Sequence, residues 1–262
     1  MGEYFDDIHA MRESQLEGEA CTVPDTAEIS KLRGQAENFD VLYATVCALR
    51  RQLRYREIPE LCDKMVSLSP KSPIPWRLRG GAYLCTLQYD KAVWDFLQAL
   101  ALGGDRGDIY YRLGICRYLQ GDFLKATVHF EDVFFMSGDE MGIAAIYWHT
   151  LGAARGGLPP ILLPFYRDDM NVGHHTAYKL AVSLWAGRIS PEELLSRLER
   201  EQDDLEYVIT AYGLAVYLET HGRRGEYEKL IASILTRGEF WSALSALAAY
   251  NDMRGFENRT AN

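Results

Sequence analysis

The chain has 262 residues, 48% of them apolar and 25% charged, which is enough for one or two domains with a proper core and excludes disorder as its main state. Its 28 basic residues against 37 acidic ones, with a pI near 5.2, argue against a nucleic-acid partner, whose affinity would need a clustered cationic face. The five cysteines, Cys21, Cys47, Cys62, Cys85 and Cys116, are odd in number and never C-x-x-C spaced, so neither a disulfide framework nor a zinc site is expected and a reducing, cytoplasmic setting fits.

Residues 1–37 are acidic. Nine carboxylates (Glu3, Asp6, Asp7, Glu13, Glu17, Glu19, Asp25, Glu28 and Glu37) face only Arg12, Lys31 and Arg33, a net of −6 out of the chain's −9. The opening Met1 to Asp7 carries acid where a secretory leader needs a basic start, and no later run approaches the roughly 20 apolar residues of a bilayer span, so no membrane partner is expected. Two readings of this segment stay open, a short helix over 3–17 or a mobile arm.

From residue 38 to 157 the chain reads as repeats. Trp76, Gly80, Tyr89, Ala92, Phe96 and Ala99 reappear 34 residues on as Tyr110, Gly114, Phe123, Ala126, Phe130 and Val133. One period earlier stand Leu42, Leu49, Tyr55, Ile58, Cys62 and Met65, a degraded first copy whose second helix Pro70 ends. Small residues at 80/114 and 92/126 place two antiparallel helices in close approach, while the aromatics are expected to fill the space between successive hairpins. Gly121-Asp122 supplies the turn, with Asp122 as N-cap of the second helix. Trp148, Leu151 and Gly152 repeat the first-helix spacing four residues late, and that helix is expected to end near Arg155.

Pro159, Pro160 and Pro164 mark residues 158–172 as a joint. Residues 173–262 are again helical in pattern: a helix over 174–186, a capped start at Ser190-Pro191 with Glu193 completing a capping box, a hairpin of 207–220 and 226–236, and a last helix to about Met253.

The residues of 73–138 resemble the tetratricopeptide repeat, and the C-terminal half is distantly similar to that of bacterial lipoprotein-type proteins of the same kind. That resemblance implies an all-α fold, antiparallel hairpins stacked as a right-handed α-solenoid, and a concave face lined by the first helix of each hairpin. Carried over position by position, it implies that Ile74, Arg77, Leu78, Gly81, Leu84 and Cys85 face inward in one repeat and Asp108, Tyr111, Arg112, Ile115, Tyr118 and Leu119 in the next. The degraded copy adds Tyr43, Cys47, Arg50 and Arg51. The groove expected to bind a partner is thus Tyr43, Arg50, Arg51, Arg77, Leu78, Leu84, Tyr111, Arg112 and Tyr118, arginines that fork onto carboxylates beside tyrosines that stack on peptide. Gly81 and Ile115 stand where the family's carboxylate clamp for chaperone C-termini carries asparagine, so the resemblance does not extend to that ligand.

Catalytic motifs are missing. The chain has no Gly-Lys pair for a P-loop, no H-E-x-x-H and no G-x-S-x-G, and neither a cofactor nor a bound metal is expected. The function expected is therefore that of a non-catalytic adaptor or scaffold holding a peptide or helix of a partner protein. Two alternatives remain: a metal-dependent regulator or enzyme using His149, His174 and His175 near the joint, or an assembly protein forming a homodimer through its C-terminal half. The run Glu192, Glu193, Glu199, Glu201, Asp203, Asp204 and Glu206 reads as a solvated face around helix ends.

Overall fold

One backbone turn recurs along the chain and sets its architecture. Arg54, Gln88 and Asp122 donate their amides to the carbonyls of Leu49, Tyr83 and Arg117, five residues back, at 3.0, 2.8 and 2.9 Å. The residue just before each of them, Leu53, Leu87 or Gly121, is left-handed, with φ of 58°, 60° and 78°. This is the Schellman closure of a helix, in which a left-handed residue lets the chain reverse while the last carbonyls keep partners. At Gly121 the conformation is free of the Cβ clash; at Leu53 and Leu87 it costs about 1–2 kcal/mol each. The positions are 34 residues apart, so the period seen in side chains is also a period of backbone geometry.

The computed structural model describes residues 8–18 and 23–260, and among these the chain forms fourteen α-helices and no strand. They are α1 (Ile8–Leu16), α2 (Ala27–Arg33), α3 (Phe39–Arg51), α4 (Ile58–Leu68), α5 (Pro73–Cys85), α6 (Tyr89–Ala101), α7 (Arg106–Leu119), α8 (Phe123–Met136), α9 (Asp139–Gly156), α10 (Thr176–Trp185), α11 (Pro191–Leu198), α12 (Asp204–Thr220), α13 (Arg224–Thr236) and α14 (Leu244–Thr260). None of them is long and apolar enough to cross a membrane. Two compact units, Met1–Arg112 and Leu113–Asn262, divide the chain within α7. The fold is all-α among the described residues, and its 34-residue register of side chains and turns makes α3 to α8 a set of repeated helical hairpins.

In the first unit α3–α4 and α5–α6 are antiparallel hairpins. Asn38 and Ser72 cap α3 and α5 by accepting the amides of Val41 and Ile74. A Cβ on Gly80 would stand 2.8 Å from Cε1 of Phe96, closer than real side chains come, so α5 and α6 touch through bare backbone. Phe96 therefore sits on the glycine of its own hairpin, which corrects the expectation that these aromatics lie between successive hairpins. The first copy holds Val46 and Cys62 at the equivalent positions, both fully buried. A medium pair there replaces the small–large pair, which conserves volume and explains why that copy reads as degraded. Arg79 joins α5 to both its neighbours, with two bonds of 2.7 and 2.8 Å to buried Asp95 and a further bond to Asp63.

The acidic N-terminal segment contributes α1 and α2, while Glu3, Asp6, Asp7 and Glu19 lie outside the described residues, as do positions 3–7 of the expected helix. Asp25 bonds Arg54 at 2.8 Å, Glu28 bonds Arg51 at 2.5 Å and Glu37 bonds Lys64 at 2.7 Å.

In the second unit the Gly–Phe contact recurs between Gly114 and Phe130 at 2.7 Å. Asp122 caps α8 and Ser190 caps α11, accepting the amides of Lys125 and Glu193 at 3.4 and 3.1 Å. The carboxylate of Glu193 turns to Arg197 at 2.7 Å, so the expected capping box is present in its serine half. The expected acidic run is spent on helix ends and pairs: Asp203 caps α12, Asp204 bonds Arg237 and Glu192 bonds Arg223. After α9 the joint runs through a single 3-10 turn, Leu163–Phe165. The last helix starts at Leu244 and continues past Met253 to Thr260.

Candidate interaction face

Helices α3, α5 and the start of α7 set a continuous row of side chains on one side of the first unit. Asp108 is its hub. Arg77 donates two bonds to it, at 2.8 and 3.0 Å, and Arg112, one turn along α7, donates at 3.0 and 3.1 Å. Burial opposes ionisation of Asp108, but the Arg77 hydrogen bond and the charges of Arg112 and Arg77 outweigh it and hold the carboxyl below its ordinary range. Tyr43 lies close enough to act on Arg77 electrostatically, and Cys85 is placed between the fields of Arg112 and Arg50. Burial pushes the Cys85 thiol up to about 11 against the pull of those two arginines, so it is a packed thiol and not a nucleophile. Gly81 opens the middle of the row, for a Cβ there would meet nothing within 4 Å. Tyr43 and Ile74 stand exposed at 43% and 42%.

The sequence-derived groove residues divide by what the tertiary structure does with them. Tyr43, Arg50 and Arg51 are exposed, Arg77, Tyr111 and Arg112 are half-buried, and Leu78, Leu84 and Tyr118 are buried. Leu78 and Leu84 belong to the core because α5 is covered by helices on most of its circumference, leaving only a narrow outward arc. Of the four arginines, Arg77 and Arg112 share Asp108, Arg51 takes Glu28, and Arg50 has no ion pair among the described residues. Arg77 thus already forks onto a carboxylate that Arg112 shares through its single Nε–H, and it is the chain's own.

Tyr118 goes into the interior of the second unit. Its hydroxyl lies 3.1 Å from that of Tyr212, and its ring packs edge-on against Trp148 at 5.1 Å. Around it sits a buried polar cluster that no spacing in the sequence announces. Arg155, at the end of α9, bonds Asp252 of α14 at 2.6 and 3.1 Å, Glu219 of α12 at 2.9 Å, and the hydroxyls of Tyr212 and Tyr227 at 2.9 and 3.1 Å. Both tyrosines also bond Asp252, at 3.0 and 3.1 Å. Every donor of the guanidinium plane is therefore directed at an oxygen, which is the condition under which a buried charge is tolerated.

The histidines do not converge. His174 and His175 are neighbours with ring centres 4.5 Å apart, and both turn to Glu140, one to its carboxylate at 3.0 Å and the other to its backbone carbonyl at 2.6 Å. His149 is in α9, 1% exposed, with Nε2 3.3 Å from Glu131. No group of three or more His, Cys, Asp or Glu able to hold a metal ion occurs among the described residues.

His149 carries a pH dependence. Its Nε2–H donates to Glu131 and its buried Nδ1 has no partner, so a second proton would create an orphaned donor; burial lowers the pKa from 6.5 to about 4. The unfolded chain binds that proton more readily, so the contribution is complete above pH 6.5 and is lost as pH falls toward about 4. About 3 kcal/mol is expected to disappear over that window. Urea titrations of the wild type and of His149→Gln at a series of pH values check this: the variant should show the shallower loss, and equal slopes would exclude His149 as its source.

No protein-family model matches the chain, and no curated protein matches it in sequence. Among solved structures the chain is similar to YrrB, a tetratricopeptide protein with an unusual peptide-binding site, over 87% of this chain and 98% of that one, at 14% identity and a TM-score of 0.45. It is also similar to Naa15/Naa10 bound to HypK-THB, over 85% of this chain and 35% of that one, at 17% identity and a TM-score of 0.35.

Proposed function

We propose that the chain is a protein-interaction adaptor that holds an extended or helical segment of a partner protein against the row formed by α3, α5 and the start of α7. The observation that carries this reading is the Arg77–Asp108–Arg112 hub, set between exposed Tyr43 and Ile74 and beside the bare backbone of Gly81. A guanidinium has five donors, and Arg77 places two of its bonds on Asp108, so donors remain for carbonyls or carboxylates of a bound segment. With Arg50 the row holds three cations and one anion on a chain of net charge −9, which favours an acidic segment. The role is binding and not turnover.

Affinity purification followed by mass spectrometry identifies partners, and titration of one of them tests the face. Arg112→Glu and Tyr111→Ala should each weaken binding at least about tenfold with the helical circular dichroism unchanged, as expected for central interface positions. Arg197→Glu, on exposed α11, should bind like the wild type. Undiminished binding by both row variants removes this face as the site.

A further inference from the structure

Helix α8 of the second unit carries an apolar stripe on its solvent side that none of the described residues covers. Leu124, Val128 and Phe135 recur on one helical face with Glu131 between them, and all three apolar residues are exposed, Phe135 at 70%. The stripe broadens at its C-terminal end, where Phe165 of the joint packs 5.1 Å from Phe134 and 6.2 Å from Phe135, with exposed Met136 beside them. From Leu124 to Met136 it is about 18 Å long, the length of three helical turns.

The charges along the stripe are unbalanced. Lys125 is taken by Asp122 at 2.6 Å, and Arg167 by Asp139 and Asp169 at 3.2 and 3.3 Å. Asp132 is exposed and has no ion pair among the described residues. Among the described residues Glu131 receives a bond only from neutral His149, which leaves its charge uncompensated there. Two carboxylates inside an exposed apolar stripe call for cations from outside.

We infer that the α8 face docks an amphipathic helix of a partner protein, with large apolar residues on one side meeting Leu124, Val128 and Phe135, and flanking Lys or Arg meeting Glu131 and Asp132. This surface belongs to the second unit and the row of Arg77, Asp108 and Arg112 to the first, and its occupant has the opposite charge. A second copy of the chain fits poorly, because a two-fold pairing of α8 with itself would oppose Glu131 and Asp132 near the axis. Residues 1–37 fit poorly for the same reason, having a net charge of −6.

The probe is a synthetic helical peptide of leucine and lysine, with leucines at the i, i+3, i+4, i+7 spacing, compared with a twin in which glutamate replaces every lysine. Both are fluorescently labelled and titrated with the full chain. The lysine peptide should bind at least about tenfold tighter than its twin, and Phe135→Asp should weaken it about tenfold or more although that substitution adds negative charge. The double variant Glu131→Gln/Asp132→Asn should narrow the preference, whereas Trp94→Asp on α6 and Arg112→Glu should leave it unchanged. Equal binding of the twins, or full binding by Phe135→Asp, overturns the proposal. So does a concentration-dependent dimer dispersed by Phe135→Asp in analytical ultracentrifugation, since the occupant would then be a second copy. Persistence of peptide binding in Arg112→Glu separates this surface from the row on α3, α5 and α7, so either can fail alone.

Discussion

Arg155→Met should lower the stability of the second unit by about 3–5 kcal/mol, the loss expected when one partner of a buried, hydrogen-bonded charge pair is removed. The side chain is only 11% exposed and stands between Asp252 and Glu219, which are themselves 13% and 30% exposed. Without the guanidinium, Asp252 keeps two tyrosine hydroxyls but no cation, and it faces Glu219 across a poorly solvated gap. Packing is lost as well, because the guanidinium lies 5.6 and 5.7 Å from the ring centres of Tyr118 and Tyr212. Asp252→Asn should cost less, since Glu219 continues to neutralise Arg155 and the amide oxygen still accepts. Arg224→Ala, which breaks an exposed i,i+4 pair with Glu228, should change stability by less than about 0.5 kcal/mol. Urea unfolding followed by circular dichroism ranks the three variants. A loss below about 1 kcal/mol for Arg155→Met would mean that the cluster is solvated and does not hold α9, α12 and α14 together.

A comparable effect is expected at Gly114. A Cβ there would lie 2.7 Å from Cε1 and 2.8 Å from Cζ of Phe130, a ring that is itself fully buried and has nowhere to turn. Gly114→Leu should therefore force α7 and α8 apart at a cost of about 3 kcal/mol, the upper end of overpacking penalties. Shortening the opposing ring relieves the clash, so Gly114→Ala combined with Phe130→Leu should be less destabilised than the sum of the two single variants by about 1 kcal/mol or more. Simple additivity would show that the two positions do not touch. Gly80 and Phe96 should give the same non-additivity 34 residues earlier, where a Cβ would lie 2.8 Å from the ring.

Side-chain period alone carried the repeat to this depth because a helical hairpin is closed by local bonds. The amide of Gln88 finds the carbonyl of Tyr83, Ser72 and Asn38 cap the helices they precede, and Phe96 reaches Gly80 across a single turn. Each of those contacts spans a few residues or one hairpin, so residue type and spacing were sufficient to locate the hairpins and their turns, whereas the seat of Phe96 on the glycine of its own hairpin is a matter of packing. Arg77, Asp108 and Arg112 were expected at the candidate face only through the resemblance to the tetratricopeptide repeat, for one period away from them stand Tyr111, Ile74 and Leu78. That Arg77 and Arg112 share Asp108, and that Leu78 and Leu84 turn inward, depends on how much of each helix its neighbours cover, which a repeat register does not specify.

Tyr118 marks the limit. It occupies a groove position by register and a core position by packing, because α9 and α12 bring Trp148 and Tyr212 onto it. Arg155 meets Glu219 across 64 residues and Asp252 across 97, and no local pattern links positions so distant. Periodicity determined the hairpins and their turns, since these are satisfied by bonds a helix makes with itself or its neighbour. Only the tertiary structure decided which polar side chains are buried together, because a buried charge is tolerated or not according to every group that surrounds it, wherever in the chain those groups arise.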